Sequence, residues 1–246
     1  MALWLLGYPD AALADAKQAL REARDIGQAV NLFFALLHTS LTHIQCGDYA
    51  VANAEADELA ALTNEKGSSF WKALGMSMRG CLFALTGKAS DAVQMITSSM
   101  TALRSTGTTL WMPLHSSYFA RAYAELGQFD DAWRSIGEAM TAVETTKEKW
   151  WEAEVNRTAG EITLLSPEPD AAKAEAYFEQ ALAVSRQQQA KSFELRAVIS
   201  LARLWRFQGK PQQARELLAP VYGWFTEGFD TRDLKEAKAL LDELAA

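Results

Sequence analysis

Cysteine, proline, histidine and the β-branched aliphatic residues are all scarce in this 246-residue chain. Two cysteines, Cys46 and Cys81, cannot form a disulfide framework, so a reducing compartment and a cytoplasmic location are expected. Three histidines, His38, His43 and His115, complete the soft ligands, and the pair His43 and Cys46 has no second pair at zinc-site spacing. No metal or cofactor is expected. Eight Val and six Ile against 43 Ala and 30 Leu disfavour sheet and favour helix. Six Pro and 14 Gly exclude collagen-like and Pro/Gly-rich disordered chains, while 49% hydrophobic content is enough for a sizeable core. Positive charge is also short. A net charge of −7 argues against nucleic acid or an anionic membrane as the main partner. No apolar run approaches a membrane span, and the N-terminus lacks the charged region of a signal peptide. Catalytic signatures are missing too: there is no serine elbow, dinucleotide fingerprint or convincing acid/base pair. Leu85-Thr86-Gly87-Lys88-Ala89-Ser90 lacks the first glycine of a phosphate loop and any strand before it. The sequence offers nothing for an enzyme to stand on.

What it does contain is a period of 40. Gly7, Gly47, Gly87 and Gly127 are each 40 residues apart, and Gly209 continues the series. Ala12, Ala52, Ala92, Ala132 and Ala214 follow five residues after each, and Ser40, Gly80, Ala120 and Ala202 precede four of them by seven. A second series runs Gly27, Gly67, Gly107. Gly160 and Ala174 fill the small positions of one more unit if two residues are inserted around Ser166–Asp170. Each unit reads as a helical hairpin. The first glycine series ends the leading helix, the second ends the trailing one, and the small residues let the two helices approach. Trp71, Trp111 and Trp151, with Phe193 after the insertion, recur in the first turn of each leading helix; they read as packing between units or as a stacking surface for a ligand.

Small residue, aromatic three later, glycine seven later and alanine twelve later resembles the tetratricopeptide repeat. Gly80/Phe83/Gly87/Ala92, Ala120/Tyr123/Gly127/Ala132 and Ala202/Trp205/Gly209/Ala214 carry the full pattern, and Ser40/Gly47/Ala52 carries it with His43 in the aromatic place. The expected fold is therefore an all-α, right-handed superhelical solenoid of about 40-residue hairpins forming one domain. The expected units are a partial repeat at 1–27, repeats at 28–67, 68–107, 108–147, 148–189 and 190–228, and a capping helix at 230–245. Leu234, Ala237, Leu240, Leu241 and Leu244 form one stripe of that last helix. Residues 1–6 read as the last turn of a leading helix, so the chain is expected to be the C-terminal fragment of a longer protein. The stretch from Ala202 to Ala237, with Ala214-Arg215-Glu216-Leu217-Leu218-Ala219-Pro220-Val221-Tyr222-Gly223-Trp224-Phe225 at its centre, and also Trp150-Trp151-Glu152-Ala153-Glu154, is similar to the C-terminal end of large bacterial proteins joining a nucleotide (adenylate) cyclase-like domain to a signalling ATPase. More distantly, the chain resembles the sugar-sensing superhelix of the maltose-regulon activator. The resemblance implies a non-catalytic signalling role, with catalytic domains upstream.

In tetratricopeptide arrays the leading helices line the concave surface. Counting from the small residue places Phe34, Leu37, Leu41 and Leu74 in an exposed apolar half of the groove. Arg121, Arg157, Arg196, Arg203 and Arg206 fall in the other half, with Glu154 and Glu161 as counter-charges. The arginines read either as ion-paired within the chain or as capturing a carboxylate or phosphate. The expected partner is a protein or peptide segment, possibly the protein's own upstream domains, with a small anionic effector as the alternative. Charge reversal at Arg157 and Arg203 is expected to leave the fold intact.

Overall fold

The computed structural model describes residues 1–245. Thirteen α-helices and no strand occur among them: α1 (Ala2–Leu5), α2 (Pro9–Ile26), α3 (Ala29–Cys46), α4 (Tyr49–Lys66), α5 (Ser69–Leu85), α6 (Ala89–Ser105), α7 (Met112–Glu125), α8 (Phe129–Thr146), α9 (Glu152–Leu165), α10 (Ala171–Gln187), α11 (Lys191–Phe207), α12 (Pro211–Tyr222) and α13 (Arg232–Glu243). Consecutive helices pair as antiparallel hairpins, and the architecture is an all-α repeat solenoid closed by α13.

The turn chemistry produces the period. Gly47 ends α3 at φ 84°, and its N–H donates to the Ile44 carbonyl at 3.1 Å while that of Asp48 donates to the His43 carbonyl at 2.9 Å. Both bonds satisfy carbonyls that the helix end leaves bare, and only a residue at ease with positive φ makes them. Asp48 then caps α4, accepting from the Val51 N–H at 3.3 Å, and Asp170 caps α10 in the same way through Lys173 at 2.9 Å. Where hairpin helices cross, space is minimal: a Cβ on Gly160 would lie 2.5 Å from the Phe178 ring.

Two leading helices start later than the period predicts. Pro113, in the first turn of α7, has no N–H to bond a preceding carbonyl, and its ring would clash with an earlier turn. Trp111 is left as the N-cap residue at φ 57°. A 3₁₀ turn, Lys149–Trp151, likewise precedes α9. Trp111 and Trp151 therefore stand at the caps, whereas Trp71 and Phe193 are within the first turn.

Leading helices α3, α5, α7, α9 and α11 touch in succession, and α11 then meets α1, which also touches α3. The superhelix has closed on itself. Trp4 packs edge-on against Phe193 with centroids 5.3 Å apart, and the Ser192 hydroxyl donates to the Trp4 carbonyl. The Gly228 N–H donates to the Asp10 carboxylate at 2.9 Å, and the Ala11 N–H to Glu227 at 3.0 Å. Closure corrects the expectation of an exposed apolar half-groove. Leu37, Leu41 and Leu74 are at most 1% exposed, because neighbouring leading helices crowd the axis; only Phe34 stands out, 54% exposed.

Candidate functional site

Arg196 stands on α11 where the ring closes. Its Nε donates to Asp233 at 2.6 Å, and its terminal nitrogens donate to the Gln45 side chain at 2.8 Å, the Gln45 backbone carbonyl at 3.0 Å and Glu154 at 3.3 Å. The guanidinium also lies 4.7 Å from the Trp4 ring centroid. One buried side chain thus joins α1, α3, α9, α11 and α13. Gln45 in turn donates to the Tyr118 hydroxyl at 3.3 Å.

Arg157 grips Glu154 through two nitrogens, at 2.7 and 3.0 Å, and donates to Glu161 as well. Burial alone would raise the Glu154 carboxyl, but the Arg157 and Arg196 guanidiniums beside it hold it down at about 2. Burial would lower both guanidiniums; Glu154 with Glu161 raises Arg157, and Asp233 with Glu154 raises Arg196. Glu154, Arg157 and Arg196 are thus held in their charged forms by one another. This corrects the expected tolerance at Arg157: its side chain is only 13% exposed and doubly paired, so reversing its charge would leave two carboxylates facing a third.

The remaining arginines are paired but reachable. Arg121 meets Glu125 at 3.2 Å and Glu161 at 3.9 Å, Arg203 meets Glu236 at 3.1 Å, and Arg206 meets Glu243. The side chains of Arg203 and Arg206 are about half exposed, and their partners come from α13. Arg121, Arg157, Arg196, Arg203 and Arg232 surround one polar cavity of about 130 Å³, opposed by Glu161, Asp233 and Glu236. Five guanidiniums and three carboxylates line it, and two further carboxylates pair with those guanidiniums, Glu154 with Arg157 and Arg196 and Glu125 with Arg121. Next to it, sharing Arg121 and Glu161, lies a mostly apolar hollow of about 320 Å³ formed by Ala124, Ile162, Leu164 and Leu165. Arg206 stands outside both, as do Phe34, Leu37, Leu41 and Leu74.

Four participants escaped sequence reasoning: Gln45, Arg232, Asp233 and Glu236. Asp233 had a signal, since it falls on the apolar stripe of α13, four residues before Ala237 and seven before Leu240, where an acid needs a buried partner. Arg232 pairs with Asp233 at 3.1 Å and donates to the Tyr49 hydroxyl. The tryptophans pack between hairpins: Trp71 against Phe33 at 6.0 Å, Trp111 against His38 at 5.3 Å, and Trp151 against Phe193 at 5.2 Å with its indole N–H on Ser117 at 2.7 Å. Among the described residues no cluster of His, Cys, Asp and Glu is arranged to hold a metal ion, and no helix is long and apolar enough to cross a membrane.

The chain has the fold of tetratricopeptide-like helical repeats, as solved structures show. BtubC (BKLC) from P. vanneervenii matches 96% of this chain and 89% of its own at 16% identity, TM-score 0.58. NprR in complex with its cognate peptide NprX matches 96% and 77% at 16% identity, TM-score 0.59. The apo form of the quorum sensor NprR from B. thuringiensis matches 98% and 79% at 16% identity, TM-score 0.51. No protein-family model matches the chain. No curated protein sequence does either.

Proposed function

We propose that the chain is a non-catalytic binding scaffold of a bacterial signalling protein, and that it takes an anionic peptide segment at the arginine cavity. The observation that carries this reading is the convergence of five guanidiniums on the 130 Å³ space, with Arg121 and Arg203 tied only to partly exposed acids, in a chain whose net charge is −7. A space of that size admits a single carboxylate or phosphate group, given that one water takes about 30 Å³. The body of a peptide would lie over Ala124, Ile162, Leu164 and Leu165, where Leu165 is 58% exposed. Arg121 and Arg203 are the mobile jaws, since each is held by a partly exposed acid that an incoming carboxylate can displace. Arg157 and Arg196 set the field beneath them. The NprR structure with its cognate peptide supports the reading at the level of fold. In this reading the peptide belongs to a partner protein or to the upstream cyclase- and ATPase-like domains that the sequence resemblance implies.

The test is selection from a random peptide library with free C-terminal carboxylates, followed by anisotropy titration of the winners. Amidating the carboxylate and Arg203→Glu should each weaken binding by tenfold or more, while the surface change shifts the melting temperature by no more than a degree or two. Selected peptides that bind Arg203→Glu and Arg121→Glu as tightly as the parent would remove the cavity from the reading. The small-effector alternative rests on the same cavity and predicts stabilisation by inorganic phosphate or citrate alone.

A further inference from the structure

A pocket of about 530 Å³ lies where the turn between α1 and α2, the turn between α10 and α11 and the stretch after α12 come together. It shares no residue with the arginine cavity or with the apolar hollow beside that cavity. Tyr8 and Trp224 form an aromatic wall, with centroids 5.8 Å apart and each ring 39% exposed. No other of the eight tryptophans is as open to solvent. The Trp224 ring is held in place from behind: a Cβ on Gly7 would lie 2.5 Å from it, and Phe225 meets it edge-on at 5.4 Å. Leu6 completes the apolar side. Its exposure is a property of the hairpin turn, since Leu126, at the same place in an interior hairpin, is 42% exposed against 44% for Leu6.

The facing side is polar. Glu194 is buried there, accepting from Arg186 Nε at 2.8 Å on one oxygen and from Lys191 Nζ at 2.7 Å on the other. Burial would raise its carboxyl, but the two cations hold it below the ordinary carboxylate range. One buried carboxylate thus sets two cations side by side and leaves one positive charge unbalanced. Among the described residues the terminal nitrogens of Arg186 have no partner, and the side chain is about half exposed. Lys191 Nζ also lies 5.3 Å from the Trp224 centroid, so the cations adjoin the aromatic wall.

We propose that this pocket binds a small aromatic carboxylate. The flat ring lies against Trp224 and Tyr8. The carboxylate takes the free terminal nitrogens of Arg186 and the remaining protons of Lys191, both already oriented by Glu194. A monoanion matches the single spare charge, and the volume is that of a small-molecule site. The walls come from both ends of the chain, so the ligand binds only the closed superhelix and ties its ends together.

The probe is 2-naphthoate, titrated by calorimetry into the full 246-residue protein up to about 10 mM, a range suited to a ligand of that size. Two controls divide its chemistry: 2-naphthalenemethanol is the ring without the anion, and acetate is the anion without the ring. One 2-naphthoate per chain is expected, with each control at least tenfold weaker. Amide exchange should slow at residues 186–191 and 222–226 when it is bound. Arg186→Gln, and Leu6→Asp, which sets a carboxylate at the rim, should each weaken binding at least tenfold. Both side chains are about half exposed, so the variants are expected to fold, with the melting temperature of the free protein as the check. Arg203→Glu, in the other cavity, should bind as the parent does. Absence of saturable binding, or binding by both pocket variants as tight as the parent's, overturns the proposal. So does binding that Arg203→Glu abolishes and Arg186→Gln keeps, because the probe would then sit in the arginine cavity.

Discussion

Glu55 is the carboxylate that this fold treats worst. It is 8% exposed, and one of its oxygens meets no donor. Burial pushes its pKa up from the ordinary 4.5 to about 7, and the Thr39 hydroxyl offsets this only in part. His43 stands 3.7 Å away and is itself held down by burial, while His115, wholly enclosed, is lowered to about 4. The signs oppose each other. A carboxyl raised on folding contributes stability that is complete below pH 4.5 and is lost as pH rises through 7. A histidine lowered on folding contributes stability that is complete above about pH 6.5 and is lost as pH falls toward 4. Glu55→Gln should therefore leave stability at pH 5 nearly unchanged and raise it at pH 8 by up to about 3 kcal/mol. Urea titrations at the two pH values give the answer. An equal effect at both would show that Glu55 is not protonated in the folded state near neutrality.

Single helices follow from local chemistry, and most of it was readable in advance. The turn glycines, the caps at Asp48 and Asp170 and the small residues at the crossings are each a local requirement with one or two residue types that satisfy it. The crossing of α9 and α10 shows how tight that requirement is. Gly160→Leu would place its Cβ 2.5 Å from the Phe178 ring, and overpacking of this kind costs about 1–3 kcal/mol. Thermal melts of that variant beside Gly137→Ala, where a Cβ meets nothing within 4 Å, separate the contact from a general glycine effect. An unchanged melting temperature for Gly160→Leu would refute the crossing. Element ends set by nonlocal or mixed influences were less legible: Pro113 delays α7, and the turn before α9 tightens to 3₁₀. The candidate site was legible as residue types and helix faces, since Arg121, Arg157, Arg196 and Arg203 do converge while Arg206 stays outside. Glu154 and Glu161 were legible as counter-charges, but the remaining partners were not, because Asp233, Glu236 and Glu243 lie on α13, and no repeat period relates that helix to the others.

For the molecule as a whole, the decisive feature is that the first and last hairpins touch. An open repeat array contacts only its neighbours, so its stability is close to a sum of local terms and each end can fray alone. Here Gln45 and Arg196 are 151 residues apart, Trp4 and Ser192 are 188 apart, and Asp10 and Gly228 are 218 apart. Either end that melts takes the other's partners with it. Unfolding in urea should therefore be a single transition, coincident by tryptophan fluorescence and by circular dichroism, with a slope set by the entire chain. Arg196→Met leaves Asp233 and Glu154 each one cation short inside the ring. That change should cost about 3–5 kcal/mol and split the transition into two, the C-terminal hairpin leaving first. Parent curves that already fail to coincide would mean that the ring is not one cooperative unit. Closure also bears on speed. Helical repeats fold fast because their contacts are local, but this chain must hold five hairpins in register before the sixth can find the first. Its slowest folding step is expected to be the making of that seam.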